Sequence, residues 1–225
     1  MKRTSLFSVI LLGLLSAQAG QATSIYTAGP GLAMAIPDNG YTGTQASMGC
    51  STINVASEPG LDIISGPVTV SIAMSHTFVG DLTIKLFGPT PAQSFTLVSR
   101  PGVVETADDG TDTAGFGENS NLAIANPLTY AMAAADESEQ MGKVPSDHAT
   151  GDIICVFAGS PCSYNPNAGA SVLSADFAAL NGTSKVGAWA LCIGDSASAD
   201  TGTLDGWTLN FGTVTPVELT GISVE

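Results

Sequence analysis

Apolar side chains recur at every second position in several short runs of this chain, and that period restricts those runs to half-buried β-strands. Val68, Val70, Ile72 and Met74 alternate with Thr69, Ser71 and Ala73, and Leu82, Ile84 and Leu86 alternate with Thr83 and Lys85. Phe95 and Leu97 mark a strand over Ser94 to Ser99. Near the end, Trp189, Leu191 and Ile193 alternate with Ala188, Ala190 and Cys192, and Trp207, Leu209 and Phe211 repeat the pattern. The unbroken apolar run Ile153 to Phe157 reads as a fully buried strand. Gly80-Asp81, Gly88-Pro89 and Thr201-Gly202 punctuate these runs as turns. Two sheets packed face to face bury all the alternating sets. The expected fold is therefore all-β: a single antiparallel, jelly-roll-like β-sandwich. The pattern lapses over 101–150, an excursion that reads as irregular surface chain at Asp108 to Asp112 and Gly115 to Asn121. Within it, Ala131 to Gln140 is the stretch with helical propensity.

Charge narrows the function classes. The 225 residues include 6 Lys+Arg against 20 Asp+Glu, a formal charge of -14. Nucleic-acid binding needs clustered basic side chains, and so does a polybasic membrane surface; both are excluded. Charged residues make up 12% and hydrophobic residues 44%, too apolar for a disordered chain. Lys2 and Arg3 precede the apolar run Leu6 to Leu15 and the small residues Ser16-Ala17-Gln18-Ala19. That order describes a cleaved secretory signal over 1–19, with cleavage after Ala22 as the near alternative. The run falls short of the ~20 residues that cross a bilayer, so no membrane span is expected. Without Lys2 and Arg3 the basic count is 6 - 2 = 4 and the net charge 4 - 20 = -16. A secreted or periplasmic location follows.

Cys50, Cys155, Cys162 and Cys192 suit such an oxidising compartment, and four cysteines allow three pairings. No C-x-x-C occurs and the chain has only 2 His, which leaves zinc poorly supplied. The favoured pairing joins Cys155 to Cys162, closing a short loop through Gly159 and Pro161, and Cys50 to Cys192, tying the N-terminal segment to a core strand.

Two blocks carry a family resemblance. The first is His76-Thr77-Phe78-Val79-Gly80-Asp81-Leu82-Thr83-Ile84-Lys85-Leu86-Phe87-Gly88-Pro89; the second runs from Gly187 through Trp189 to Asp195, then from Asp200 through Gly202 and Trp207 to Phe211. They resemble the H-T-x-x-G-D-L-x-I-x-L-x-x-P and G-T-W-x-L-x-V-x-D…D-x-G-x-L-x-x-W-x-L-x-F signatures of P (homo B) domains, the β-sandwich modules that follow the catalytic domain in kexin- and furin-like subtilisin proteases. Tyr164-Asn165-Pro166 and Leu173 to Gly182 resemble the link between the two signatures. Ala188 stands where the family has threonine. The resemblance implies a domain over 49–213, with an N-terminal extension at 20–48 and a tail at 214–225. The tail resembles the P-V-E-L connectors that precede C-terminal sorting segments in some bacterial surface proteins.

Most residues in these blocks have structural readings. Gly80 and Asp81 suit a tight turn before a strand. Trp189 and Trp207, on adjacent strands joined by a hairpin loop, would fill the space between sheets. His76 would bond Asp81 or the backbone to fix that turn, and Gly202 opens the last strand.

Catalytic arrangements are poorly supplied. Gly182-Thr183-Ser184 echoes a subtilisin nucleophile, but Lys185 follows it and His148 is a lone loop histidine. G-x-S-x-G, H-E-x-x-H and phosphate-cradling glycine motifs are absent. Calcium is the candidate cofactor, since it takes carboxylate and carbonyl oxygens on loops. Its expected ligands are Asp195, Asp200, Asp205 and Asp81, with Asp108, Asp109 and Asp112 as a further loop source, although no group has EF-hand spacing. Calcium binding among P-domain proteins supports that assignment.

The expectation is a non-catalytic, secreted P/homo B domain that docks on or stabilises a subtilisin-like serine endopeptidase. The residues between signal and domain are far too few to hold a catalytic subtilisin domain. A surface adhesion module for protein or glycan is the alternative, and a cryptic endopeptidase using Ser184 with His76 or His148 is the third reading.

Overall fold

The alternating runs become strands because only the β-backbone sends successive side chains to opposite faces. The structure, a computed structural model, describes residues 25–103, 105, 117–143, 149–166 and 176–212. The signal segment 1–19, Asp108, Asp109, Asp112, His148, Leu173 and the tail 214–225 lie outside the described residues.

Eleven strands are formed among the described residues: β1 Ile25–Ala28, β2 Met34–Ala35, β3 Gly49–Val55, β4 Thr69–His76, β5 Leu82–Phe87, β6 Ser94–Ser99, β7 Leu128–Ala131, β8 Asp136–Glu137, β9 Ser163–Asn165, β10 Gly187–Asp195 and β11 Gly202–Asn210. They divide into two sheets. One has the order β1-β11-β4-β7-β9-β8, with β2 also on β11; the other has the order β3-β10-β5-β6. The inward rows meet between the sheets: Val70, Ile72 and Met74 from β4 and Leu82, Ile84 and Leu86 from β5 are all buried. So are Leu191 and Ile193 from β10 and Leu204 and Leu209 from β11. The expected all-β sandwich is present.

Trp189 is fully buried; its ring meets Phe211 edge-on at 5.2 Å and its indole N–H donates to the Lys185 carbonyl at 2.8 Å. Trp207 donates to Ser51 Oγ at 3.0 Å. The two tryptophans contribute to one core from opposite sides, because β10 and β11 belong to different sheets. The segment joining them is thus a crossover between sheets, not the expected hairpin.

Five further expectations are corrected. Within the expected extension 20–48, the described residues 25–48 are more than a simple extension, since β1 and β2 both pair with β11. The excursion contributes β7 and β8, which line up with β4 and β9. Ala131 to Gln140 forms the end of β7, the short β8 and one 3₁₀ turn at Ser138–Gln140; ten residues of moderate propensity do not nucleate a helix against sheet pairing. Ile153 to Phe157 is not a strand: Cys155 has φ 71° and Val156 is 59% exposed, so the chain turns inside its own disulfide loop. The sheet is also not wholly antiparallel, as β9 runs parallel to β7 and β8.

Both favoured disulfides are formed, Cys50–Cys192 and Cys155–Cys162. Such bridges fit an extracellular or periplasmic compartment. Among the described residues no helix is long and apolar enough to cross a membrane.

Candidate functional site

Continuing the inward rows of β4 and β10 by one step places a polar pair inside the sandwich. On β4 the buried positions are Val70, Ile72, Met74 and then His76; on β10 they include Leu191, Ile193 and then Asp195. The two strands lie in different sheets, so these last inward residues face each other across the core. His76 Nε2 lies 3.0 Å from Asp195 Oδ2, and neither side chain has any exposed surface. The other ring nitrogen, Nδ1, is 2.9 Å from the Phe78 carbonyl and 3.2 Å from the Phe78 N–H. Asp195 Oδ1 accepts the Ala197 N–H at 3.0 Å. Every polar atom of the pair is therefore held.

The turn after β4 wraps around this pair. Ser196 N–H donates to the Asp81 carbonyl at 3.0 Å, and Thr77 Oγ1 donates to Asp200 Oδ1 at 2.7 Å. Gly80 is required by a close approach: a Cβ there would stand 2.4 Å from Gly117 Cα and 2.5 Å from the Glu118 nitrogen. Gly202 has a similar reason, since a Cβ would stand 2.1 Å from the Ser75 carbonyl oxygen. These backbones meet because neither residue has a side chain.

Three of the four expected calcium ligands, Asp81, Asp195 and Asp200, are brought to this end of the sandwich. Their roles differ from the expected ones. His76 bonds the Phe78 backbone, one of its two expected partners, and takes Asp195 in place of Asp81. Asp195 spends both oxygens on His76 and Ala197, and Asp200 holds Thr77. Asp205 lies elsewhere, at an irregularity in β11, where Oδ1 accepts the Gly31 N–H at 3.1 Å. Among the described residues no group of three or more His, Cys, Asp or Glu side chains could hold a metal ion.

The electrostatic cost of this acidic corner falls on Asp81. Burial pushes its carboxyl up to about 6, with Asp195 and then Asp200 adding to the rise, while His76 and Arg100 oppose it. Arg100 is not among the expected site residues. It is 3% exposed, its Nε donates to the Gly80 carbonyl at 3.4 Å, and its backbone takes φ 42°. The available signal was a rare basic residue placed directly after an apolar strand.

A pH dependence follows with a definite sign. Between the ordinary carboxyl value of 3.8 and about 6, folded Asp81 keeps a proton that the unfolded chain has lost. Its contribution to stability therefore falls as pH rises through that window and stays low above it. Asp81→Asn removes the penalty: after allowance for solvent screening, about 1–2 kcal/mol is recovered at pH 8 and almost nothing at pH 4. Thermal melts of both proteins at the two pH values check this, and an equal difference at both would refute the assignment.

Ser184 is remote from the pair. It precedes β10, whereas Asp195 ends it, and nine residues of strand span about 26 Å. Ser184 Oγ accepts the Val186 N–H at 3.2 Å.

No family model matches the chain, and no curated protein matches it. Among solved structures it is similar to the serine protease of Aeromonas sobria, at 14% identity and a TM-score of 0.38 over 86% of this chain. The complex of that protease with its ORF2 chaperone gives 15% identity and a TM-score of 0.38 over 83% of this chain. The chain spans about a quarter of those structures' length, 27% and 26% respectively.

Proposed function

We propose that this chain is a non-catalytic P/homo B-type sandwich that acts as an accessory module, docking on and stabilising a subtilisin-like serine endopeptidase. The observation that carries the reading is the His76–Asp195 bond. It joins the histidine that opens the first sequence block to the aspartate that closes the Trp189 segment of the second, and it lies across the core. The two blocks thus act together as parts of one scaffold. A scaffold role for His76 fits its surroundings better than proton transfer does, because Nε2 is taken by Asp195 and Nδ1 faces the Phe78 backbone. A general base needs a ring nitrogen within reach of the hydroxyl that it deprotonates, and Ser184 stands at the far end of β10.

The test mixes the secreted chain with a kexin- or furin-like endopeptidase from which its own P domain has been deleted. The expected result is co-elution, together with a longer half-life of peptidase activity. Failure to co-elute with an unchanged half-life overturns docking; recovery of cell-surface protein or glycan from the secreted fraction then favours adhesion. The chain alone is expected to leave casein intact. Casein cleavage that disappears in Ser184→Ala overturns the non-catalytic assignment.

A further inference from the structure

The outer face of the larger sheet carries an unusual chemistry for so acidic a chain. Thr27 pairs with Thr208, Thr208 with Ser71, Ser71 with Thr129 and Thr129 with Ser163. Residues directly opposite on neighbouring strands point to the same face. Five hydroxyl side chains therefore stand in one row across β1, β11, β4, β7 and β9, advancing about 4.8 Å per strand. Ser71 and Thr129 share a hydrogen bond of 2.9 Å, while the Thr27, Thr208 and Ser163 hydroxyls bond no described residue. A second hydroxyl pair, Ser75 and Thr203, bonds at 3.1 Å nearer the other end of β4.

Between these hydroxyl positions the side chains vanish. Ala73 faces Gly206 across β4 and β11, and the gap opens a cleft of about 250 Å³. Pro30 and Pro127 line it, with Thr27, Ser71 and Thr208 among its hydroxyl-bearing residues. Asp205 is the one acidic or basic side chain that these five strands contribute to the cleft. Its Oδ1 is fixed by the Gly31 N–H, and Oδ2 accepts from no described residue. The cleft thus offers one anchored carboxylate, several hydroxyls with spare hydrogen-bonding capacity, and proline rings that present C–H surface.

We propose that this cleft binds a neutral sugar residue, alone or within a polysaccharide, with Asp205 accepting from sugar hydroxyls and Thr208, Ser71 and Thr27 exchanging hydrogen bonds with the rest of the ring. The volume suits about one pyranose. The charge argues for a neutral ligand: a chain of net charge -14 repels an anionic polymer, and a single carboxylate offers little to a polycation. The row beyond the cleft supplies a path for neighbouring sugars, since each strand presents another hydroxyl at nearly the length of one ring.

The test is a ¹H–¹⁵N NMR titration of the whole chain with the methyl glycosides of glucose, galactose, mannose and N-acetylglucosamine, and with sodium glucuronate as the charged comparator. One or more neutral glycosides is expected to shift the amides of Thr27, Ser71, Ala73 and Thr208 saturably, with Kd near about 1 mM. Thr208→Val and Asp205→Asn, both close in shape to the native residues, are expected to weaken that binding about tenfold or more, with the thermal midpoint of Thr208→Val unchanged. Absence of shifts with all four glycosides, shifts mapping to another surface, or glucuronate binding as tightly as the best neutral sugar would each overturn the proposal. None of these readouts involves a protease, so the docking reading stands or falls separately.

Discussion

Asp195→Ala is expected to lower the thermal midpoint by about 6–20 °C at neutral pH, because it opens a polar pair that has no access to water. The loss has two parts. His76 Nε2 is left without its acceptor at zero exposure, and the Ala197 N–H loses the oxygen that holds the start of the crossover between sheets. Breaking a buried charged or polar pair from one side costs about 3–5 kcal/mol, and for a chain of this size each kcal/mol moves the midpoint by about 2–4 °C. His76→Ala should cost at least as much, since it strands the carboxylate instead. The informative comparison is the double variant His76→Leu with Asp195→Leu. Apolar replacement of both partners leaves no unpaired polar atom, so the double variant should lose less than the two single alanine variants together. Calorimetry of the four proteins decides the matter: a midpoint for Asp195→Ala within about 2 °C of the parent would mean that the pair carries no weight.

The same pair marks how far the sequence can be read. Period-2 alternation located β4, β5, β6, β10 and β11, because each is long and has one face in the core. Carried one residue further, the alternation of β4 and β10 already puts His76 and Asp195 on inward faces. What it cannot supply is which sheet each strand joins. A turn-rich segment between two alternating runs suits a hairpin and a crossover equally well, and Gly194 to Thr203 forms the crossover. Once β10 and β11 are assigned to opposite sheets, Asp195 comes to His76 and Asp205 is carried away from Asp81. The four-aspartate set depends on a hairpin loop that carries Asp195 and Asp200, with Asp205 just beyond it and Asp81 at a sheet end, and the crossover removes Asp205 from that set. Short strands such as β2 and β8 were illegible for another reason: two residues have no period. Arg100 and Gly117 depend on tertiary approach, Arg100 at the Gly80 carbonyl and Gly117 against Gly80 Cα, and local propensity carries no trace of either.

The two disulfides, paired as the spacing suggested, should differ about twofold in what they contribute. Cys50 and Cys192 are 142 residues apart and face each other across β3 and β10, whereas Cys155 and Cys162 are 7 apart. In the chain-entropy account a cross-link stabilises by restricting the unfolded chain, and the effect grows with the logarithm of loop length. That gives about 5 kcal/mol for the long loop and about 2.5 kcal/mol for the short one. The folded state widens the contrast. β3 pairs only with β10 and forms an edge of its sheet, so the long-range bridge fastens an edge strand to its sole neighbour. Cys192 is also fully buried in a small cluster with Tyr41 and Met48, and its removal disturbs that packing. The short loop keeps hydrogen bonds of its own without the bridge, from the Cys155 N–H to Ser160 Oγ at 2.9 Å and from the Tyr164 hydroxyl to the Pro161 carbonyl at 3.1 Å. Cys50→Ala with Cys192→Ala should accordingly shift the guanidinium midpoint about twice as far as Cys155→Ala with Cys162→Ala. Equal shifts, or a larger one from the short loop, would show that β3 is held by its ladder and by Trp207 on Ser51 rather than by its covalent tie.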